Sequence, residues 1–248
     1  MRAFFDKYGF GIFWLIAVTD FLLIFLNDTN LRYFTRPLLM PLLVVTLFSK
    51  VDFHERRTAK VLIFGSFVSA TIADLFALSE NGFVASVVCF SIALLLYIIY
   101  FFGVQKLSSR KLVPIVVLAA VLLSGFSLLI ASLWNYMEGF KVPVIVRSFS
   151  LMAMFVAAVN ILFKSETKPL AIDAFIPGSV LFIISDVMLA ANKFYFEEPF
   201  LDIAIMATYC GAQYYICRGC VKELQCVPLP EKPTHINLRA AHQQFNLN

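Results

Sequence analysis

The chain has 248 residues, of which 60% are hydrophobic and only 15% are charged, and its mean hydropathy is +0.84. Soluble domains average about 45–50% apolar and about 25% charged residues, so this composition excludes an ordinary soluble domain and predicts an all-α, polytopic membrane protein. The formal net charge of +4 does not indicate binding to nucleic acid, because the Lys and Arg residues lie in short loops between apolar runs.

Eight apolar runs are long enough to predict a bundle of eight transmembrane helices, since a bilayer core needs roughly 20 residues per helix. In chain order they are Tyr8–Leu26, Tyr33–Phe48, Ala59–Leu78, Phe83–Gly103, Leu112–Leu133, Val142–Phe163, Ala171–Ala191 and Phe200–Cys217. The second and eighth are the shortest. Short connections predict antiparallel neighbours. The first run has no small-residue cleavage site, so we expect it to be retained. We expect one transmembrane domain, 1–226, and a polar, mobile tail, 227–248.

The Lys and Arg residues predict the orientation of the bundle. With the N-terminus in the cytoplasm, 15 of the 20 lie on the inner side and 5 on the outer side. This bias follows the positive-inside rule. We therefore expect both termini on the cytoplasmic side of a multi-pass protein of the cell membrane.

Several polar residues interrupt the apolar runs, and all fall near one face of the predicted membrane. Asp20, Asp74 and Asp186 come late in helices that run outward, and Arg36 and Arg147 come early in helices that run inward; Asn192 and Lys193 close the seventh run. An ionisable group within a membrane span costs a few kcal/mol on insertion scales and is a functional candidate by default. The shared depth predicts a polar, partly hydrated chamber open to one leaflet. The alternative is that individual residues only form hydrogen bonds between helices, for example Asp74 with Arg36.

Metal, redox and common hydrolase sites are not expected. Cys217 and Cys220 have the spacing of a metal or redox pair, but no fourth ligand lies near them and Cys226. The three His residues, His54, His235 and His242, all fall in loops or in the tail. The chain has no G-x-S-x-G, no H-E-x-x-H and no phosphate-binding Gly loop. We therefore expect no metal and no cofactor.

Four short motifs resemble the YhhN family of membrane lysoplasmalogenases. They are Arg36-Pro37-Leu38-Leu39-Met40, Ala73-Asp74, Ser185-Asp186-Val187-Met188-Leu189-Ala190-Ala191-Asn192-Lys193-Phe194 and Tyr209-Cys210-Gly211-Ala212-Gln213. The motif of the seventh helix is the most specific of them. Two positions depart from the family pattern: Ala73 replaces a Gly, and Ala93-Leu94 replaces an Ala-His. The eight-span layout is similar to that of the family along nearly the whole chain.

The resemblance implies hydrolysis of the vinyl ether bond of a lysophospholipid, which gives a fatty aldehyde and glycerophosphocholine or glycerophosphoethanolamine. This reaction needs a protonated carboxylic acid to transfer a proton to carbon and a second carboxylate to stabilise positive charge and orient water. A low dielectric raises a carboxyl pKa, and two neighbouring carboxylates push their pKa values apart. Our hypothesis is that Asp74 and Asp186 form this catalytic pair, and we expect Asp186 to be the acid because it lies deeper.

The remaining candidates are substrate-binding residues. Arg36, Lys193 and Arg147 could hold the phosphate, although Lys193 could also simply extend to the interface. Tyr209 and Gln213 lie one turn apart and could position water or a headgroup, or only satisfy buried polar atoms. Asn192 belongs to the seventh-helix motif, and Asp20 is a supporting candidate at the same depth.

Two other functions use the same carboxylates. The first is a proton-coupled transporter in which Asp74 and Asp186 form a relay. We rank it lower because the middles of the third and seventh helices lack the Gly or Pro breaks of many carriers. The second is a non-catalytic membrane protein. The expected partners are a lysophospholipid and the bilayer, and the sequence does not predict the oligomeric state.

Overall fold

The structure is a computed structural model that describes residues 2–51, 56–79, 81–107, 112–137 and 139–225. These residues form eight long helices and contain no strand. The predicted tail, together with Cys226, His54, His235 and His242, lies outside the described residues. The helices are α1 (Arg2–Phe25), α2 (Thr29–Lys50), α3 (Arg57–Ala77), α4 (Phe83–Val104), α5 (Leu112–Leu133), α6 (Lys141–Phe163), α7 (Lys168–Phe196) and α8 (Pro199–Gln225).

Seven of these helices, α1 to α7, are long and apolar enough to cross a membrane, judged by length and composition. The all-helical, multi-pass architecture predicted from the sequence is therefore confirmed. The eighth helix, α8, is present at the predicted place but does not meet the same criterion, because Asp202, Gln213 and several tyrosines lower its apolar character. The cytoplasmic position of the termini stays a prediction.

The helices extend beyond the apolar runs that predicted them. Helix α1 begins at Arg2, and α2 begins at Thr29, where the side chain of Asp28 accepts a hydrogen bond from the Leu31 amide at 3.1 Å. Such a cap satisfies a backbone donor that has no partner within the helix. Helix α7 widens into a single π-helical turn at each end, Ala171–Phe175 and Asn192–Phe196. The second of these turns contains two of the predicted site residues, Asn192 and Lys193.

Helix α8 packs in the interior of the bundle, against α1, α2 and α7. Small residues permit its close approach to α7. An added Cβ at Gly178 of α7 would lie 2.8 Å from Ile216 Cγ1, and one at Gly219 of α8 would lie 2.6 Å from the Phe175 ring. Close backbone approach through small residues is typical of helix packing in membranes, where lipid is as apolar as the side chains. Helix α5 lies at the periphery and packs chiefly against α6.

This antiparallel packing gathers polar side chains at one end of the bundle. That end is formed by the C-terminal ends of α1, α3 and α7 and by the N-terminal ends of α2, α4, α6 and α8. We call it the site end.

Candidate active site

The first element of the site is a buried ion pair between α2 and α3. Asp74 lies in the last turn of α3 and is fully buried, and Arg36 lies in the second turn of the adjacent, antiparallel α2. Arg36 Nε donates to Asp74 Oδ1 at 3.1 Å. Asp74 Oδ2 accepts a hydrogen bond from the Tyr209 hydroxyl of α8 at 2.9 Å. Both carboxylate oxygens are therefore engaged, which compensates for the burial of the charge.

Tyr209 is itself held by a buried chain of polar side chains. Gln213, one turn further along α8, donates from Nε2 to the Tyr209 oxygen at 3.4 Å. The Tyr97 hydroxyl of α4 donates to Gln213 Oε1 at 2.8 Å. The Tyr209 ring packs edge-on against Phe90 and Phe182, with ring centroids 5.6 Å and 5.9 Å away. Tyr209 and Gln213 thus act on Asp74 through hydrogen bonds, from positions fixed by packing.

The second element is an ion pair between α6 and α7. Arg147 Nε donates to Asp186 Oδ1, and the side chains of both residues are almost entirely buried. The Arg147 guanidinium also lies 4.7 Å from the centroid of the Phe90 ring. A cation over an aromatic face is stabilised by the ring quadrupole, so Phe90 and Asp186 together fix the orientation of Arg147.

Each predicted catalytic aspartate therefore has an arginine of its own as its partner, and the two carboxylates are linked only indirectly. Phe90 contacts Tyr209, the partner of Asp74, on one side and Arg147, the partner of Asp186, on the other. The pairing of Asp74 with Arg36 is the interhelical contact that the sequence suggested as an alternative to catalysis. A direct role of the Asp74–Asp186 pair stays a prediction.

Both arginines line one cavity, of about 270 Å³, at the site end. Its charged lining residues are Arg32, Arg36, Arg147, Lys193 and Asp202, contributed by α2, α6, α7 and α8. The rest of the lining is mixed: Thr29, Ala77, Leu78, Ser79, Phe83, Ser86, Val87, Phe90, Leu189, Ile205 and Met206. We call this space the cationic cavity. Four cations facing one small volume form a site suited to an anion such as a phosphate.

The other predicted site residues lie around this cavity or behind it. Lys193 lines it, with Nζ 5.7 Å from the centroid of the Phe83 ring. Asn192 is buried beside it and donates from Nδ2 to Asp202 Oδ1 at 2.9 Å. Asp20 is fully buried behind Arg32, which is 3.9 Å away, and Asp20 Oδ1 accepts from the Thr35 hydroxyl at 2.7 Å. Among the described residues, Asp20 Oδ2 has no hydrogen-bond partner.

Sequence reasoning missed Arg32, Asp202 and the two phenylalanines of the cavity. Two of these could have been found from helical periodicity, because Arg32 precedes Arg36 by one turn and Asp202 precedes Tyr209 by two turns on the same face. Phe83 and Phe90 carried no signal among the 27 phenylalanines of the chain. Their importance depends on which helices pack together.

The cysteine pair of α8 lies apart from the site. Cys217 and Cys220 are free and buried, and Cys217 Sγ lies 3.6 Å from the backbone oxygen of Leu43. Within the described parts of the chain, no group of three His, Cys, Asp or Glu side chains could hold a metal ion. Buried cysteines of this kind behave as small hydrophobic residues.

A comparison with known protein families gives a match over most of the chain. The model of the YhhN family matches residues 31–220. The chain belongs to the YhhN family. The matched segment contains every candidate site residue except Asp20, which precedes it. Neither a curated protein nor a solved structure matches the chain. Membership of the YhhN family is compatible with a hydrolase, and the reaction itself has to be argued from the site.

Proposed function

We propose that the protein hydrolyses the vinyl ether bond of a lysoplasmalogen in the cell membrane, releasing a fatty aldehyde and the glycerophospho-headgroup. The observation that carries the proposal is that two arginines, each paired with a buried aspartate, line one cavity. This arrangement combines an anion-binding surface with carboxyl groups near the end of a membrane span. A lysophospholipid carries its phosphate and its ether bond on the two ends of one glycerol unit, so both lie near the membrane interface. Membership of the YhhN family is consistent with the activity.

The reaction requires proton transfer and water but no covalent intermediate. A carboxylic acid donates a proton to the vinyl carbon that is distal to the ether oxygen, which gives an oxocarbenium ion. Water adds to the carbon bound to oxygen and loses a proton to a carboxylate. The resulting hemiacetal breaks its bond to the glycerol oxygen, which leaves as the hydroxyl of the headgroup product. Asp74 and Asp186 are the two carboxyl groups that we assign to these transfers.

Substrate binding provides a way to prepare one of these groups for proton transfer. In the structure, Arg36 and Arg147 are engaged by Asp74 and Asp186. A bound phosphate competes for the same guanidinium groups, because arginine binds phosphate and carboxylate through the same donor fork. A carboxyl that loses its cationic partner loses the interaction that favours its charged form. In this proposal the substrate's phosphate allows one aspartate to carry the proton.

Tyr209 has a positioning role in this scheme. Its hydroxyl donates to Asp74, while Gln213 and Tyr97 fix it from behind. When Arg36 turns toward a phosphate, Asp74 therefore keeps the neutral Tyr209 hydroxyl as a hydrogen-bond donor. The hydrogen bond keeps the carboxylate oriented for charge stabilisation rather than for proton donation, so we now assign the acid role to Asp186 on geometry as well as on depth.

The proposal is tested by the products released from three lysophospholipids that differ only at the first glycerol carbon. Purified protein is mixed with the vinyl ether, the saturated ether and the acyl ester forms, and aldehyde and fatty acid are measured. We expect fatty aldehyde from the vinyl ether and no product from the other two. Release of fatty acid from the ester, or no aldehyde from the vinyl ether, would contradict the proposal.

A second candidate function, a proton-coupled carrier, has one observation in its favour. Polar side chains continue along the inner face of α8 away from the site, through Gln213 to Glu223, whose carboxylate accepts from the Tyr100 hydroxyl at 3.1 Å. Within the described residues, however, the hydrogen-bonded chain from Asp74 ends at Tyr97. Proteoliposomes with an imposed pH gradient distinguish the two: a carrier moves protons or solute without releasing aldehyde.

A further inference from the structure

The charges of the cationic cavity fall into a matched and an unmatched set. Arg36 and Arg147 are matched by Asp74 and Asp186. Arg32 is only partly matched, because its Nε lies 3.9 Å from Asp20 and has no hydrogen-bond partner within the described residues. Lys193 lies against the Phe83 ring and takes part in none of the ion pairs of the described residues. Two cations therefore face the cavity without a full partner.

Asp202 is the unmatched anion of the same cavity. Its Oδ1 accepts a hydrogen bond from Asn192 Nδ2, and Asn192 Oδ1 in turn accepts from the Glu198 amide at 2.8 Å. This contact orients the carboxylate without neutralising it. None of the ion pairs of the described residues includes Asp202, although it lies close enough to Arg32 to interact electrostatically. The cavity thus presents positive and negative charges that lack a hydrogen-bonded ion-pair partner, which is the pattern that complements a zwitterion.

The aromatic rings of the cavity distinguish between two kinds of ammonium group. A quaternary ammonium is recognised by aromatic faces, whereas a primary ammonium donates up to three hydrogen bonds to oxygen acceptors. The aromatic lining consists of Phe83 and Phe90, and each already holds a cation of the protein, Lys193 and Arg147 respectively. The anionic acceptor in the lining is the Asp202 carboxylate. This favours a primary ammonium.

The cavity's size also limits what it can hold. A volume of about 270 Å³ is below the roughly 300–1,000 Å³ that encloses a drug-sized ligand. It can accept a headgroup with its glycerol but not a long hydrocarbon chain. The chain of a lipid would then lie outside the cavity, against the apolar outer surface of the bundle.

We infer that the cationic cavity selects an ethanolamine-type headgroup, with Arg32 and Lys193 joining Arg36 and Arg147 around the phosphate and with the primary ammonium bound by Asp202. The inference about which substrate is cleaved rests on the proposed function, whereas the inference about which headgroup binds does not. Asp202 is then a specificity-determining residue, and a choline headgroup is the weaker substrate because its methylated nitrogen cannot donate hydrogen bonds to the carboxylate.

The test compares two vinyl ether substrates that share one alkenyl chain and differ only in headgroup, ethanolamine or choline. We expect the wild type to have a kcat/KM about tenfold higher for the ethanolamine form, equivalent to one charge-assisted hydrogen bond. Asp202→Asn removes this preference by lowering kcat/KM for the ethanolamine form, chiefly through KM, while the choline form changes less than about twofold. The matched control is Asp28→Asn at the same end of the bundle, because asparagine caps a helix as well as aspartate does and the preference should persist.

A binding measurement separates this inference from the proposed reaction and does not depend on the folding of a variant. Glycerophosphoethanolamine should raise the unfolding temperature of the wild type more than glycerophosphocholine does. If that difference is seen and no aldehyde is released, the reaction is wrong and the headgroup inference holds. If both headgroup compounds stabilise the protein equally, or if Asp202→Asn lowers activity equally on both substrates, the headgroup inference is overturned, whether or not aldehyde is released.

Discussion

The buried carboxylate of Asp74 and the guanidinium of Arg36 are joined by a 3.1 Å hydrogen bond between neighbouring antiparallel helices. The other oxygen of the same carboxylate accepts from Tyr209. A buried charge is tolerable when it is both paired and hydrogen-bonded, and Asp74 meets both conditions. The site end is therefore preorganised around Asp74.

Removing the Tyr209 hydroxyl tests how much this preorganisation contributes to the reaction. Tyr209→Phe keeps the ring contacts with Phe90 and Phe182 but removes one donor to Asp74. A hydrogen bond to a charged group contributes roughly 1.5–3 kcal/mol, so we expect kcat for aldehyde release to fall by about tenfold or more, with KM nearly unchanged. The control is Tyr33→Phe, whose hydroxyl donates to the Leu78 backbone oxygen at 2.8 Å near the same end. Equal rates for the two variants would remove Tyr209 from the mechanism.

The Arg147–Asp186 pair allows structural and catalytic roles to be separated. Removing one partner of a buried pair leaves an uncompensated charge and costs roughly 3–5 kcal/mol. We expect Arg147→Gln and Asp186→Asn each to lower the unfolding temperature, and the double variant to be more stable than the less stable single one. Activity should stay low in the double variant, because both the phosphate ligand and the acid are missing. Recovery of aldehyde release together with stability would mean that the pair is only structural.

The contact between α7 and α8 depends on the absence of a side chain at Gly178. An added Cβ would meet Ile216 Cγ1 at 2.8 Å and the Ala212 backbone oxygen at 3.1 Å. Overpacking of this kind typically costs about 1–3 kcal/mol, so Gly178→Ala should lower the unfolding temperature in detergent. Gly11→Ala is the matched control, since no atom lies within 4 Å of the added Cβ. That change should leave the temperature unchanged or raise it, because alanine is the better helix former. If Gly178→Ala and Gly11→Ala have the same unfolding temperature, the close packing of α7 against α8 at Gly178 is wrong.

At the opposite end of the bundle, Glu223 should contribute to stability but not to activity. Its carboxylate is buried, pairs with Arg56 and accepts from the Tyr100 hydroxyl. Glu223→Gln should lower the unfolding temperature while the folded protein keeps its rate of aldehyde release. Glu166→Gln, which removes the exposed pair with Lys164, should change neither the unfolding temperature nor the rate of aldehyde release, because surface pairs contribute about 0–1 kcal/mol. A large loss of rate in Glu223→Gln would instead support a role for the polar face of α8, as the carrier function requires.

The sequence predicted the helices and the site end well because both depend on local features. Apolar runs of bilayer length determine the helices. An arginine early in one helix and an aspartate late in the next lie at the same end of an antiparallel pair, as Arg36 and Asp74 do. Arg147 and Asp186 have the same relation in α6 and α7, at a separation of 39 residues compared with 38, so the same rule extends to their pairing.

The order of helices around the bundle carries little signal in an apolar sequence, since a helix that is hydrophobic on all sides does not indicate which face is buried. Asp202 lies two turns before Tyr209 on one face of α8, the helix that fell short of the criterion for a membrane span. The sequence does not show that this face lines a cavity, because that depends on how the helices pack.

The most direct test of the central claim is the rate of aldehyde release from a lysoplasmalogen by purified wild type, Asp74→Asn and Asp186→Asn. Asp173→Asn serves as the matched control, because Asp173 lies near the other end of α7, half exposed, and pairs only loosely with Lys222 at 3.7 Å. General acid–base catalysis contributes about 10²–10⁴-fold. The account predicts that both site variants lose at least about 10²-fold in kcat and that Asp173→Asn matches the wild type. Wild-type rates in both Asp74→Asn and Asp186→Asn would contradict it.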